Sequence, residues 1–421
     1  MIGKGFTDRT LGADEVHELV WNAADALQPD DRRVLVLIPD HTRTCPLPQI
    51  TRELHAAIAP RAAGLDFLIA LGTHPPMSEE MIDRLVGVER GRRAEVFPGS
   101  RFLNHEWDNP NALRTVGTLP AEQIERITNG LFAMDVEVTV NRLVFDYDVV
   151  LIAGPVFPHE VVGFSGGSKY LYPGICGPAL LNFFHWLGAV ITNPRIIGHR
   201  DTPVRATLEA AADMLDVEKH ALCMVVRGEQ LAGLYFGPVR AAWQAAAELS
   251  GQVHIAYVDR PYRSVLSQAP EMYDELWVAA KCMYKMEPVV ADGGELIIYA
   301  PHLKEISVTH GEIIEEIGYH TRDYFLKQWD RFKDHPWGVL AHSTHVRGIG
   351  TYEDGVERPR INVTLATGIP EATCRRINLG YRDPATVDPS EWQGRDDRLY
   401  VPKAGEMLYR LTDPPAWQRA E

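Results

Sequence analysis

Three short runs, Arg33–Ile38 (RVLVLI), Leu65–Leu71 (LDFLIAL) and Val149–Ala153 (VVLIA), are apolar at almost every position. A strand with one wet face alternates apolar and polar residues. Runs without alternation predict strands covered on both faces, which is the environment of a parallel sheet layered between helices. Helices are predicted in the gaps, over Gly12–Leu27, Gln49–Ala59 and Leu180–Val190, so the chain reads as α/β. Each apolar run is followed by a chemically loaded segment: PDHTR after the first, GTH after the second, PHEVVGFSGG after the third. Ligands of open parallel sheets gather beyond the carboxyl ends of the strands, so these three segments are where a site is expected.

At 421 residues the chain exceeds one ordinary core, and two domains are expected, 1–264 and 265–397, with the closing 398–421 packing back on the first. In the second, a helix is predicted over Tyr273–Val290 and a buried strand over Gly293–Ala300. Helices follow at Gly311–Ile317 and Asp323–Lys333, then a strand at Trp337–Ala341 and a loop over Arg382–Asp397.

Several function classes are disfavoured at once. A net charge of −15 argues against extended nucleic-acid binding. No apolar run of membrane-spanning length is present, and the opening MIGKGFTDRT has no secretory apolar core. The five cysteines (Cys45, Cys176, Cys223, Cys282, Cys374) are odd in number, scattered and without a CxxC pair. That fits neither a disulfide framework nor a zinc site, and the expected compartment is the cytoplasm.

The stretch Gly163-Phe-Ser-Gly-Gly-Ser-Lys169 is the most informative local feature. Its glycines let main-chain N–H groups approach an anion closely. It fails the P-loop spacing but satisfies GxSxG with Ser165 in the nucleophile position, so a serine hydrolase using His199 or His310 is a competing reading. Against that reading, the preceding strand ends well before Ser165. The bland reading is a turn with a solvated lysine. Among 16 histidines, His41, His74, His159 and His185 fall in or after the strand-end segments. Any one of them alone is an ordinary surface or core histidine. Two at the mouths of different strands would make a pair of acid–base groups on opposite sides of one substrate, as inversion of a carbon centre requires. His185 lies in apolar ALLNFFHWLGAV with no HxH, HxxxH or HExxH around it, so it makes sense as a metal ligand only where something else fills the other positions. Asp40, Thr42 and Arg43 are suited to a ribose, a phosphate or a substrate carboxylate, or simply to capping a helix. Lys281, in DELWVAAKCMYK, is by default a snorkelling surface lysine.

Taken in order, PDHTR, GTHPPMSEEM, PHEVVGFSGGSKYLYPGI, the AAK helix and GGELII resemble the lactate racemase family of nickel-pincer-nucleotide enzymes. The motif PHxxxGFSGGxKxxxPG carries most of the specificity. The resemblance implies two domains with Rossmann-like parallel sheets around a central cleft. It implies a pyridinium-3,5-bisthiocarboxylate mononucleotide joined covalently to Lys169, holding Ni(II) through sulfur, carbon and sulfur, with His185 completing the square. It places Asp40, Thr42, Arg43, Ser165, Gly166 and Gly167 around that cofactor. It makes His74 and His159 the two catalytic bases, Arg43 a group that also polarises the substrate, and Lys281 a substrate contact. A hydride would leave C2 for the cofactor and return to the other face of a 2-oxo intermediate. Proteins that build the cofactor are implied as partners.

Two departures bear on the substrate. Lactate racemases of this family carry glutamine three residues before the substrate lysine, where this chain has Val278. His105 lies in an unusually long stretch between GTH and PHEVV, and the second domain offers His342, His345 and Arg347 in AHSTHVRG. A polyhydroxylated acid needs such groups, because buried hydroxyls left unpaired weaken binding. The expected activity is therefore C2 epimerisation of a sugar acid such as gluconate. The alternatives are a racemase of lactate, malate or a short-chain acid, a hydrolase using Ser165, and a non-catalytic nucleotide or sugar-acid binder.

Overall fold

Val34, Leu35, Val36, Leu37 and Ile38 are all fully buried. They earn that place because Arg33–Ile38 lies between Gly64–Ile69 and Val149–Pro155, parallel to both. The computed structural model describes residues 1–419, which fall into two compact units.

The first unit comprises Met1–Phe157, Phe164–Leu181 and Arg205–Val253. Its seven-stranded sheet runs Ile2–Gly5, Gln230–Pro238, Glu218–Arg227, Val149–Pro155, Arg33–Ile38, Gly64–Ile69, Phe102–Asn104. The strands from Glu218–Arg227 to Phe102–Asn104 are parallel, whereas Gln230–Pro238 returns antiparallel. Helix Ala13–Leu27 buries Val16, Val20, Ala23, Ala24 and Leu27, a single stripe at helical spacing. The Glu15 carboxylate accepts the Gly12 N–H at 3.0 Å and closes its first turn. The order places the carboxyl ends of Arg33–Ile38 and Gly64–Ile69 side by side, so PDHTR and GTH emerge next to one another. Among the described residues, no helix is long and apolar enough to cross a membrane.

The second unit comprises Pro158–Gly163, Asn182–Val204 and His254–Glu421. Its five strands, all parallel, run Gly380–Tyr381, Asn362–Thr367, Val290–Ala300, Tyr262–Gln268, Arg398–Val401. The compact units therefore cut the chain differently from the expected 1–264 and 265–397. Arg398–Val401 hydrogen-bonds to Tyr262–Gln268 inside this sheet, and Leu408–Leu411 pairs with Ile255–Val258 in the same unit. The closing segment is thus built into the second unit.

Three predicted elements are corrected. Trp337–Ala341 is not a strand but the start of a helix, Trp337–Arg347. Every residue from Gly338 to Val346 in it is buried. A helix covered all round has no polar face, so its sequence looks like a covered strand. Tyr273–Val290 holds two short helices, Leu276–Ala279 and Lys281–Tyr284, with a 3₁₀ turn at Glu287–Val289. Asp323–Lys333 is likewise broken, into Arg322–Leu326 and Trp329–Phe332.

His105 is a strut of the first unit. Its Nε2 donates to the Cys176 carbonyl at 3.0 Å, and its Nδ1 accepts from the Asn141 amide at 3.1 Å. Burial pushes its pKa down to about 4, because an imidazolium there would be desolvated and would lose its acceptor role. A histidine depressed in the folded state contributes its full stability above its unfolded pKa of about 6.5. That contribution is lost as pH falls through the folded value. Unfolding free energy is expected to drop by about 3 kcal/mol from this residue between pH 6.5 and 4. Urea titrations across that range check it, and a His105→Gln variant should show a correspondingly shallower acid limb.

Candidate functional site

The strand Arg33–Ile38 delivers Pro39 and then Asp40, which is 5 % exposed. One carboxylate oxygen, Oδ1, accepts the Thr42 N–H at 3.0 Å and the Thr42 hydroxyl at 2.7 Å. The other, Oδ2, faces His74 Nδ1 at 2.5 Å. Burial alone would raise the Asp40 pKa. The charge and hydrogen bond of His74, the charge of Arg43 and the Thr42 hydroxyl outweigh it and hold the carboxyl well below the usual range. An ionised acceptor at Nδ1 fixes a proton there, so in the neutral ring the lone pair lies at Nε2, the arrangement of a general base. Arg43 is anchored beside it, donating to the Thr42 hydroxyl at 3.3 Å and carbonyl at 3.4 Å.

The glycine-rich loop of this unit is fixed through its carbonyls. Gly166 (φ +79°) and Gly167 (φ +58°) are left-handed, and added Cβ atoms would meet Val156 at 2.5 Å and the Trp243 ring at 2.9 Å. Trp243 Nε1 donates to the Ser165 carbonyl at 2.9 Å. The buried Arg205 guanidinium donates to the carbonyls of Phe164 and Gly166 and lies over the Trp243 ring at 4.1 Å. Glu209 ion-pairs with Arg205 and accepts from the Ser168 hydroxyl at 2.9 Å. No pattern in the sequence marks Arg205, which sits in a helix whose other charged residues look like surface. Lys169 follows in a 3₁₀ turn, Gly167–Tyr170, half-buried. Its neighbour Tyr170 is buried, with a pKa raised by burial and by the nearby Cys45 against the pull of Arg43. That shared electrostatic neighbourhood links the lysine loop to the Asp40–Thr42–Arg43 turn.

Ser165 does not look like a nucleophile. Its hydroxyl donates to the Pro155 carbonyl at 3.1 Å and accepts the Phe157 N–H at 2.9 Å. The proton a base would have to remove is committed to the main chain.

In the second unit, His159 is 9 % exposed and its Nδ1 accepts the Val161 N–H at 3.2 Å. The Glu160 carboxylate lies 3.2 Å from the same ring nitrogen. His185 is half-buried in helix Pro178–Ile191, its ring 4.2 Å from that of Phe184. His342 and His345, three residues apart on Trp337–Arg347, share its surroundings. His345 is pushed down to about 3 by burial and the His185 charge; His342 is lowered well below its ordinary value by burial, then by His345, His310 and His185. Trp277 stacks on His342 at 3.9 Å and lies 4.5 Å from His310. Trp277 and His310 are thus members of a polar-aromatic cluster that motif spacing alone did not join. The Lys281 ammonium lies over the Tyr273 ring at 4.6 Å. Val278 is buried and brings no polar group. Arg347 is lowered by burial against the charge of Glu357. Among the described residues, no group of three or more His, Cys, Asp or Glu could hold a metal ion.

The family model of the lactate racemase N-terminal domain matches residues 21–196, the span that carries Asp40, His74, His159, Lys169 and His185. In that span the chain is similar to the lactate racemase family. Lactate racemases from Thermoanaerobacterium thermosaccharolyticum and Lactiplantibacillus plantarum are 22% and 21% identical to it over 284 and 306 residues. Those alignments cover 64% and 70% of this chain but only 60% and 64% of the two relatives, under two thirds of their length. A crystal structure of a Thermotoga maritima protein is 34% identical, with a TM-score of 0.87 over 95% of this chain and 99% of its own. The apoprotein of the Thermoanaerobacterium lactate racemase superposes with a TM-score of 0.69 at 18% identity, over 94% and 92% of the two chains. At that identity the likeness is one of fold, an α/β fold of two parts.

Proposed function

We propose that this chain is a nickel-dependent isomerase of the lactate racemase family that inverts C2 of a 2-hydroxy acid, with a sugar acid preferred. The observation that carries the reading is the pair of buried Asp40 and half-buried His74, a carboxylate-oriented base at the mouth of the sheet. His74 Nε2 takes the proton of the 2-hydroxyl group. His159 serves as the complementary acid, and the two exchange roles in the reverse direction. Arg43 and Lys281 supply the positive charge that holds and polarises a carboxylate substrate.

The residues fit the family's cofactor. Lys169 is the attachment point, Thr42, Arg43 and the main chain of Ser165, Gly166 and Gly167 surround it, and His185 is the metal ligand. A single histidine ligand, with no metal-holding group of three among the described residues, suits a metal whose other ligands come from elsewhere. When bound, the nickel-pincer nucleotide supplies a hydride acceptor and donor, chemistry no side chain offers. Partner proteins that build the cofactor, and a cytoplasmic setting, belong to this proposal.

A sugar acid is favoured over lactate by the apolar Val278 and by the polar surroundings of His310, His342, His345 and Arg347. The test uses enzyme co-expressed with the cofactor-building proteins, given gluconate and lactate deuterated at C2. Epimer that retains its deuterium, formed faster from gluconate, is the expected result. Washout of deuterium into water would overturn hydride transfer, and equal or faster turnover of lactate would overturn the substrate order.

A further inference from the structure

A lysine that meets a carboxylate must first be held, because its flexible stem lets the ammonium sweep a wide volume. In the second unit the Lys281 ammonium lies over the face of Tyr273, 4.6 Å from the ring centroid. A cation within about 6 Å of an aromatic ring centroid is attracted by the negative face of its quadrupole. A carboxylate in the ring's place would attract the ammonium too, but would also cancel its charge. A ring holds the cation and leaves the charge for a ligand.

Both partners of this contact are anchored. Strand Tyr262–Gln268 ends shortly before Tyr273, whose N–H donates to the Pro270 carbonyl at 3.0 Å. The Tyr273 carbonyl accepts from His302 Nε2 at 2.9 Å, and the residue is 2 % exposed. The closing segment packs on the ring at Gly405 (φ +109°), where an added Cβ would meet the Tyr273 hydroxyl oxygen at 2.5 Å. That segment is tied to the same strand end, since the Ala404 N–H donates to the Gln268 carbonyl at 2.8 Å. The backbone beside Lys281 is held at the same two places. The Cys282 carbonyl accepts the Ser267 hydroxyl at 2.7 Å, and the Cys282 thiol donates to the Ala404 carbonyl at 3.6 Å. A continuous helix through Tyr273 and Lys281 would separate their Cα atoms by about 12 Å along its axis. Here Tyr273 lies in the loop before Leu276–Ala279, and Lys281 opens a second short helix.

We propose that Tyr273 is the positioning residue of Lys281, its ring face fixing where the ammonium stands to receive the substrate carboxylate. The inference rests on the reading of Lys281 as a substrate contact and adds the group that places its charge. A role in placement predicts a loss of binding rather than of the chemical step, so it should show in KM far more than in kcat.

The test uses enzyme co-expressed with the cofactor-building proteins and given gluconate, or lactate where that turns over faster. Tyr273→Leu should raise KM about tenfold with kcat within about twofold of wild type, and Tyr273→Phe, which keeps the face, should recover most of that loss. Phenylalanines with successively more ring fluorines in place of Tyr273 keep the shape while draining the face of negative charge. KM should climb along that series, which also serves where Tyr273→Leu folds poorly. Lys281→Met should raise KM at least as far, and adding Tyr273→Leu to it should cost almost nothing further. An unchanged KM in Tyr273→Leu, a KM indifferent to fluorination, or losses that multiply in the double variant overturn the inference while leaving Lys281 as a substrate contact. A wild-type KM in Lys281→Met removes that contact and the inference with it.

Discussion

Lys169→Ala is expected to leave a folded protein with no measurable turnover and no cofactor mass adduct, while Ser165→Ala keeps both. The two residues lie in one loop, and the difference follows from where their side chains go. The Ser165 hydroxyl bridges the Pro155 carbonyl and the Phe157 N–H. Its removal strands a buried N–H, at about 1–3 kcal/mol of stability. The carbonyls of Phe164, Ser165 and Gly166 remain held by Arg205 and Trp243, so the loop keeps its path and turnover should stay within about tenfold of wild type. Loss of the Lys169 amine removes the attachment point. Intact mass spectrometry of protein co-expressed with the cofactor-building partners reads the adduct directly, alongside the epimerisation assay. A Lys169→Ala protein that still carries the adduct or turns over would sink the assignment. A dead Ser165→Ala that retains the adduct would return the hydroxyl to the chemistry.

The parallel core of the first unit was legible because full burial leaves a simple signature: Val34 to Ile38 are apolar without interruption, and each such strand ends in a polar or glycine-rich segment. The same logic misread Trp337–Ala341. Its helix is covered on every side, and periodicity has nothing to register when no face is wet. The breaks in Tyr273–Val290 were hidden for a different reason. Short helices there are stabilised by tertiary contacts, and local propensity is a weak guide against packing. For the site, His74 and Asp40 could be placed at neighbouring strand ends from the sequence, but not which carboxylate oxygen meets which ring nitrogen. Arg205 was invisible, since its role is defined by carbonyls roughly forty residues earlier in the chain. His105 looked functional because a buried histidine and a catalytic one are spelled the same; only its bonds to Cys176 and Asn141 tell them apart.

The Asp40–His74 pair yields the sharpest remaining test, because the family resemblance implies a cofactor contact for Asp40 and the geometry places it against a histidine. Asp40→Asn keeps the size of the side chain and removes its charge. The amide can turn its NH₂ toward His74 Nδ1, which drives the ring proton to Nε2 and removes the lone pair that a base needs. Turnover is expected to fall by about 10²–10⁴-fold with KM little changed. His74→Ala should lose a comparable or larger factor. The discriminating measurement is the double variant. If Asp40 acts through His74, adding Asp40→Asn to His74→Ala costs almost nothing further, because the group it orients is already gone. If Asp40 instead contacts the nucleotide, the two losses multiply, and cofactor occupancy falls in Asp40→Asn alone. Both oxygens of Asp40 are already engaged within the chain, which is why the non-additive outcome is expected.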